Sequence, residues 1–268
     1  MTSTFGERLA DAVVARGPLC VGIDPHGPLL EQWGLPDSAE GLARFTDAVV
    51  DALAGSVAVL KPQLAFYERH GSRGLAVLED GVARARAAGA LVLLDAKRGD
   101  IGSTMDAYAG YLRPDHPLAV DAMTVSPYLG PGSLQPAVDT AREHGGGLFV
   151  LARTSNPDAG TLQLVGEPTV AQRVVDTVRG WNEGSSPGSF GLVVGATLDV
   201  LDVDLAGLDG PVLAPGLGAQ GGSPEDVARL FAPGTLVLPS VSRDVLTAGP
   251  DVAALRAAAD RWADALTR

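Results

Sequence analysis

Leu91-Val92-Leu93-Leu94-Asp95-Ala96-Lys97-Arg98-Gly99-Asp100 sets four consecutive apolar residues directly against a cluster of charges. The apolar part does not alternate with polar residues, so the segment reads as a strand covered on both faces, as in a parallel sheet. The charges begin where that strand should leave the sheet. The same change, from an apolar run rich in Val and Leu to polar or Gly/Pro residues, recurs at 19–23, 57–60, 119–123, 147–151, 191–195, 211–214 and 235–238. Stretches with a helical apolar period lie between such runs, among them 39–54, 72–88, 133–144, 169–181 and 223–231, and a last one at 251–266 closes the chain. Ser223-Pro224-Glu225-Asp226 opens one of them with an N-cap serine and a proline at the first helical position. Eight strand–helix units in 268 residues predict a (β/α)8 barrel rather than an open doubly wound sheet. No linker, repeat or low-complexity block divides the sequence, and the loosest stretch, 182–189, is short enough for a helix–strand loop. Residues 1–268 therefore read as one barrel domain.

Composition narrows the partners. A formal net charge of −12 argues against nucleic acid or an anionic membrane surface, which call for basic patches. An anionic ligand would then need locally placed cations. Aromatic residues make up 5% of the chain against 46% for all hydrophobic types, so the core must rest on Ala, Val and Leu. Cys20 is the one cysteine and lies inside an apolar run, which excludes a disulfide framework and a cysteine metal cluster and reads as a small core residue. No apolar stretch approaches the roughly 20 residues of a membrane span. Residues 1–16 include acidic side chains and no signal-peptide core, so the expected location is the cytoplasm.

In such a barrel the C-terminal strand ends and their loops form the site. Those positions hold Asp24, Lys61, Asp95 with Lys97, Thr124 with Ser126, Thr154 with Ser155, Thr197, Gln220 and Arg243. Thr124 and Thr197 read as ordinary solvated loop residues. Lysine occurs only at 61 and 97, against eighteen arginines, and both lysines close an apolar run. They mark places that need a compact ammonium able to release a proton, which a guanidinium does not do at working pH. Alternation along a strand would project Asp95 and Lys97 to one side. A neighbouring carboxylate favours the ammonium form, which suits an electrostatic stabiliser and proton donor better than a Schiff-base lysine. An isolated Asp-x-Lys is more often a structural salt bridge, so the weight here comes from its position. After the seventh and eighth strands, Pro215-Gly216-Leu217-Gly218-Ala219-Gln220-Gly221-Gly222 and Arg243 stand where barrels of this type often bind phosphate. Glycines let backbone N–H groups approach an anion, and arginine binds phosphate bidentately.

Taken together, Asp95-Ala96-Lys97-Arg98-Gly99-Asp100-Ile101, Lys61-Pro62-Gln63 and Gly218-Ala219-Gln220-Gly221-Gly222 resemble orotidine 5′-phosphate decarboxylases, in particular the bacterial branch with Asp-x-Lys-Arg-Gly-Asp-Ile. The likeness runs from Val21-Gly22-Ile23-Asp24 to Ser242-Arg243. It implies a (β/α)8 barrel that acts as a homodimer, without metal or organic cofactor, on a small nucleotide substrate. By the same resemblance Lys61, Asp95, Lys97 and Asp100 form a charged catalytic array, with Asp100 and Thr104 reaching into the partner subunit's site. Asp24 and Lys61 hold the ribose hydroxyls, Ser155 contacts the pyrimidine ring, and Gln220 and Arg243 grip the phosphate. Pro239-Ser240-Val241-Ser242-Arg243-Asp244 departs from the family's usual Gly-Arg pairing at that strand. Ser126 is assigned no role.

The implied reaction explains why such charges are needed. Loss of CO2 from C6 leaves an electron pair in the ring plane, outside the π system. Without a pyridoxal or thiamine sink, fixed protein charge must stabilise it. Lys97 would do so and then protonate C6, while the glycine-rich loop carrying Gln220 closes as a lid. Two alternatives share parts of the pattern. Metal-dependent sugar-phosphate decarboxylases and synthases of the same grouping carry a similar Asp-x-Lys-x-x-Asp. A non-catalytic nucleotide-phosphate-binding barrel would need Gln220 and Arg243 but has no use for an Asp-Lys-Asp array that is costly to desolvate.

Overall fold

The computed structural model describes residues 3–267. Eight parallel strands close into a barrel in chain order: β1 Cys20–Ile23, β2 Val59–Pro62, β3 Leu91–Arg98, β4 Ala122–Val125, β5 Gly147–Arg153, β6 Phe190–Val194, β7 Val212–Pro215 and β8 Val237–Val241. Closure is made by Cys20 opposite Ser240 and Val21 opposite Val241. Helices cover the outside, for example Ala39–Leu53 after β1, Gly71–Ala87 after β2 and Val170–Trp181 after β5. Among the described residues no helix is long and apolar enough to cross a membrane.

The sixth crossover departs from the expected strand–helix repeat. Between β6 and β7 the chain crosses without any helix. The segment 199–210 carries four aspartates and two glycines, types that prefer turns and caps to helix interiors. Leu198, Val203 and Leu208 still bury their side chains there, so this stretch covers the barrel as an irregular strap.

The strand interiors explain the continuous apolar runs. One set of side chains, including Val21, Leu60, Leu94, Met123 and Val150, packs outward into the layer shared with the helices. The alternate set, Cys20, Val59, Leu93, Ala122, Phe149, Val193, Leu213 and Leu238, fills the barrel. Helix α1, Phe5–Arg16, closes the N-terminal end of the barrel, with Phe5 and Leu9 joining this inner cluster. The Phe5 ring meets Phe149 edge-on at 6.0 Å and occupies the space a side chain at Gly147 would need. The barrel is thus a packed core with one open end.

Candidate active site

Climbing one alternation from the inner core residues Cys20, Val59, Leu93 and Ala122 gives Gly22, Lys61, Asp95 and Thr124. Another step up β1 and β2 gives Asp24 and Gln63. All of these except Gly22 line a cavity of about 260 Å³ at the C-terminal mouth. Asp24, Lys61, Asp95, Lys97, Gln220 and Arg243 all line it, as do the apolar Leu151, Val193 and Leu213. Six of the nine residues assigned a role from the sequence are therefore brought together, with Thr124 and Thr154 beside them. Asp100, Thr104 and Ser155 are not among its walls. Asp100 instead accepts the N–H of its neighbour Ile101 at 2.8 Å. Ser155 packs over Gly195, where an added β-carbon would come within 2.8 Å of it, and Thr154 faces the cavity in its place.

Asp95 is the centre of the polar network. Lys61 Nζ donates to its Oδ2 at 3.0 Å and Lys97 Nζ to its Oδ1 at 2.5 Å. Thr124 Oγ1 donates to the same Oδ1 at 2.9 Å. Gln63, with its amide turned to donate, lies 3.2 Å from Oδ2 and 2.7 Å from the Asp95 carbonyl. Lys61 and Asp95 are almost fully buried, whereas the Lys97 side chain is 45% exposed. Burial opposes ionisation of Asp95, but the Lys61 and Lys97 ammonium groups and their hydrogen bonds outweigh it and hold the carboxyl well below the usual carboxylate range. Burial likewise works against charge on Lys61, yet the carboxylates of Asp95 and Asp24 raise it above the ordinary lysine value. Below them Cys20 is buried in the barrel, which pushes its thiol up to about 12. It is an inert core residue.

Simple alternation does not account for how Asp95 and Lys97 meet. Leu94 pairs with Met123 and Arg98 with Val125, so β3 carries extra residues at its end. Lys97 sits in that irregularity with φ 47°, and its N–H donates to Thr124 Oγ1 at 2.9 Å. The following residues serve the backbone. Arg98 pairs with Glu68 and lies over the Tyr108 ring. A side chain at Gly99 would collide with the Ser126 carbonyl. Thr124 itself is buried inside β4, which overturns its reading as a solvated loop residue. The strand begins at Ala122, three residues beyond the start of the apolar run, and so extends through Thr124.

The glycine-rich loop is knit by its own backbone. Gly218 N–H bonds to Gly222 O at 2.8 Å, Gly221 N–H to Gly218 O at 2.7 Å and Gly222 N–H to Gly216 O at 3.0 Å. Those three donors are spent inside the loop, so an anion there would draw on the loop's other backbone N–H groups. The side chains of Gln220 and Arg243 face the cavity without internal hydrogen bonds among the described residues. Asp24 Oδ1 is a buried acceptor with no partner. Ser242, also in the wall, fills the space above Gly22. No group of three His, Cys, Asp or Glu side chains suited to a metal ion occurs among the described residues.

Comparison with known proteins gives the same answer throughout. Residues 17–258 match the profile of the family described as "Orotidine 5′-phosphate decarboxylase / HUMPS family". Orotidine 5′-phosphate decarboxylase of Salinispora arenicola is 60% identical over 264 residues, 96% of this chain and 95% of the relative. The enzyme of the same name from Streptomyces coelicolor is 60% identical over 266 residues, 97% of this chain and 95% of its own. A Streptomyces avermitilis crystal structure of a candidate orotidine 5′-phosphate decarboxylase superposes with a TM-score of 0.96 at 58% identity, covering 99% of this chain and 95% of that one. The Leishmania donovani OMP decarboxylase structure has a TM-score of 0.75 at 32% identity, with 98% of each chain covered. With the barrel, the charged mouth and these relatives in agreement, the chain belongs to the orotidine 5′-phosphate decarboxylase / HUMPS family.

Proposed function

We propose that Lys97 is the group on which this chain's chemistry turns. The chain is a carboxy-lyase that converts orotidine 5′-phosphate to uridine 5′-phosphate and CO2 in pyrimidine synthesis, as do the relatives at 60% identity. In the step itself the bond from C6 to the carboxylate carbon breaks and its electron pair stays on C6. The Lys97 ammonium, facing the cavity, stabilises that pair and passes a proton to C6; the neutral amine then recovers a proton from solvent. The observation that carries this reading is the contact between Lys97 Nζ and the buried carboxylate of Asp95, 2.5 Å apart at the cavity wall. A charge already held in place by the Asp95 carboxylate needs little reorganisation when the carbanion forms. These fixed charges perform the stabilisation without metal or organic cofactor.

The other roles follow from which groups are unsatisfied. Asp24 Oδ1, buried without a partner, accepts a ribose hydroxyl beside Lys61. Gln220 and Arg243 take the phosphate, whose binding energy is spent on organising the mouth for the chemical step. Ser155 contacts the pyrimidine by swinging from its place over Gly195. Asp100 and Thr104 complete the site of a second copy of this chain. Supporting this are their position outside their own cavity and the exposed apolar Ile101, Tyr128 and Leu129 nearby in sequence at the β3 and β4 exits. We place the enzyme in the cytoplasm. The test is a spectrophotometric assay on orotidine 5′-phosphate in EDTA, with parent and Lys97→Ala side by side. Turnover that persists in EDTA and disappears in the variant is expected. Loss of activity on chelation would favour the metal-dependent alternative, and a Lys97→Ala rate above about a tenth of the parent would remove Lys97 from its role.

A further inference from the structure

The lysine chemistry leaves open how Lys97 is held with its ammonium toward the cavity. Its backbone lies in the left-handed region, φ 47°, a conformation that persists in a non-glycine residue only where the surroundings hold it. The β3–β4 ladder does not hold it, because the register breaks between Leu94 and Arg98. Thr124 does. Its Oγ1 accepts the Lys97 N–H and donates to Asp95 Oδ1, both at 2.9 Å. The direction of each bond is forced. An amide N–H only donates and a carboxylate only accepts, so the one hydroxyl proton points to Asp95. Asp95 Oδ1 in turn receives the Lys97 ammonium at 2.5 Å. A closed ring therefore runs from the Lys97 amide through the Thr124 hydroxyl and the Asp95 carboxylate to the Nζ of the same lysine.

We infer that Thr124 is a positioning residue for the reaction, fixing both ends of Lys97 through this ring. The inference rests on Lys97 being the proton donor. Thr124→Val keeps the side-chain shape and removes the hydroxyl, whereas Thr124→Ser keeps the hydroxyl. The valine variant should lower kcat by about 10–100-fold, the range for losing a hydrogen bond to a charged group. KM should stay within about threefold, because substrate binding does not use this hydroxyl. Exchange of the C6 hydrogen of uridine 5′-phosphate for deuterium in D2O should slow by a similar factor. That exchange breaks and remakes the C6–H bond through the same carbanion: the neutral Lys97 amine takes the proton, and the resulting ammonium, after exchanging with D2O, returns a deuteron. The serine variant should keep kcat within about threefold of the parent.

A valine variant with parental kcat overturns the proposal, as does a serine variant that is equally impaired. If Thr124→Val does not fold, Thr124→Ala takes its place, and thermal denaturation is followed for each variant. A lowered melting temperature with unchanged kcat assigns Thr124 to the fold alone and also overturns the proposal. Lys97→Ala, measured in parallel, separates the two levels. An active Lys97→Ala removes the lysine reading itself. An inactive Lys97→Ala beside a fully active Thr124→Val removes only the role of Thr124.

Discussion

Asp95 answers to two lysines and two neutral donors while almost out of water. Asp95→Asn leaves Lys61 buried without its closest counter-charge, and breaking a buried pair costs about 3–5 kcal/mol. The pH dependence follows from the direction of each shift. Asp95 lies below its unfolded value, so its stabilisation is complete above about pH 4 and is lost as pH falls toward the native value. Lys61 lies above its unfolded value, so its contribution is complete below about pH 10 and is lost as pH rises through the native value. Urea unfolding of the parent should show a plateau between these limits and an acid loss that is shallower in Asp95→Asn. Identical acid limbs would mean that Asp95 is not the ionised partner of Lys61. Lys97→Arg probes the proton rather than the charge, since guanidinium does not release one. Its kcat should fall by about 10²–10⁴-fold, and a near-parental value would leave Lys97 acting as charge alone. Asp24, Lys61, Asp95, Lys97, Gln220 and Arg243 were legible because each stands at or just beyond the end of an apolar run, where a parallel strand opens into the barrel mouth. Thr124 was not, because apolarity marks where a strand is covered and not where its hydrogen bonding stops.

Among the elements, the loop after β7 and the short helix after β8, Arg243–Leu246, carry the proposed phosphate contacts. Gly218 has φ 68°, and a β-carbon there would collide with the Asp244 carboxylate. Gly218→Ala should therefore cost about 1–2 kcal/mol, lowering the melting temperature by about 2–8 °C. It should also raise KM by displacing Gln220; an unchanged KM in the destabilised variant would take the loop out of substrate binding. Arg243→Ala should raise KM and lower kcat together, as expected when binding energy of a remote group is used in the chemical step. Free phosphite should activate the parent on a substrate lacking phosphate and activate the variant much less. Equal activation would show that Arg243 does not touch the anion. All eight strands could be read from their apolar runs, but the sixth crossover could not be read as helix-free. Its buried Leu198, Val203 and Leu208 satisfy the core at a spacing of five, which neither helix nor strand periodicity reveals.

At the scale of the whole molecule, α1 seals one end of the barrel and leaves the charged mouth as the way in. Asp100 stands beyond that mouth, so the proposed shared site can be tested by complementation. Lys97→Ala and Asp100→Ala homodimers should each be nearly inactive. After mixing equal amounts and proven subunit exchange, about half of the dimers are mixed and about a quarter of all sites regain both groups, by two-fold symmetry. Recovery to that level is expected, and activity that stays at the level of the separate variants would confine Asp100 to its own subunit or to no catalytic role. The lysine inventory has a practical sequel. Lys61 is buried and ion-paired, while Lys97 is 45% exposed in its side chain, and these are the chain's only lysines. Amine-reactive dyes, biotinylation esters and carboxyl-activated sensor surfaces therefore find one accessible side-chain target, inside the proposed catalytic cavity. Tagging that leaves most proteins working should silence this one with a single adduct per subunit, and bound nucleotide should protect it. Immobilisation should go through its carboxylates instead.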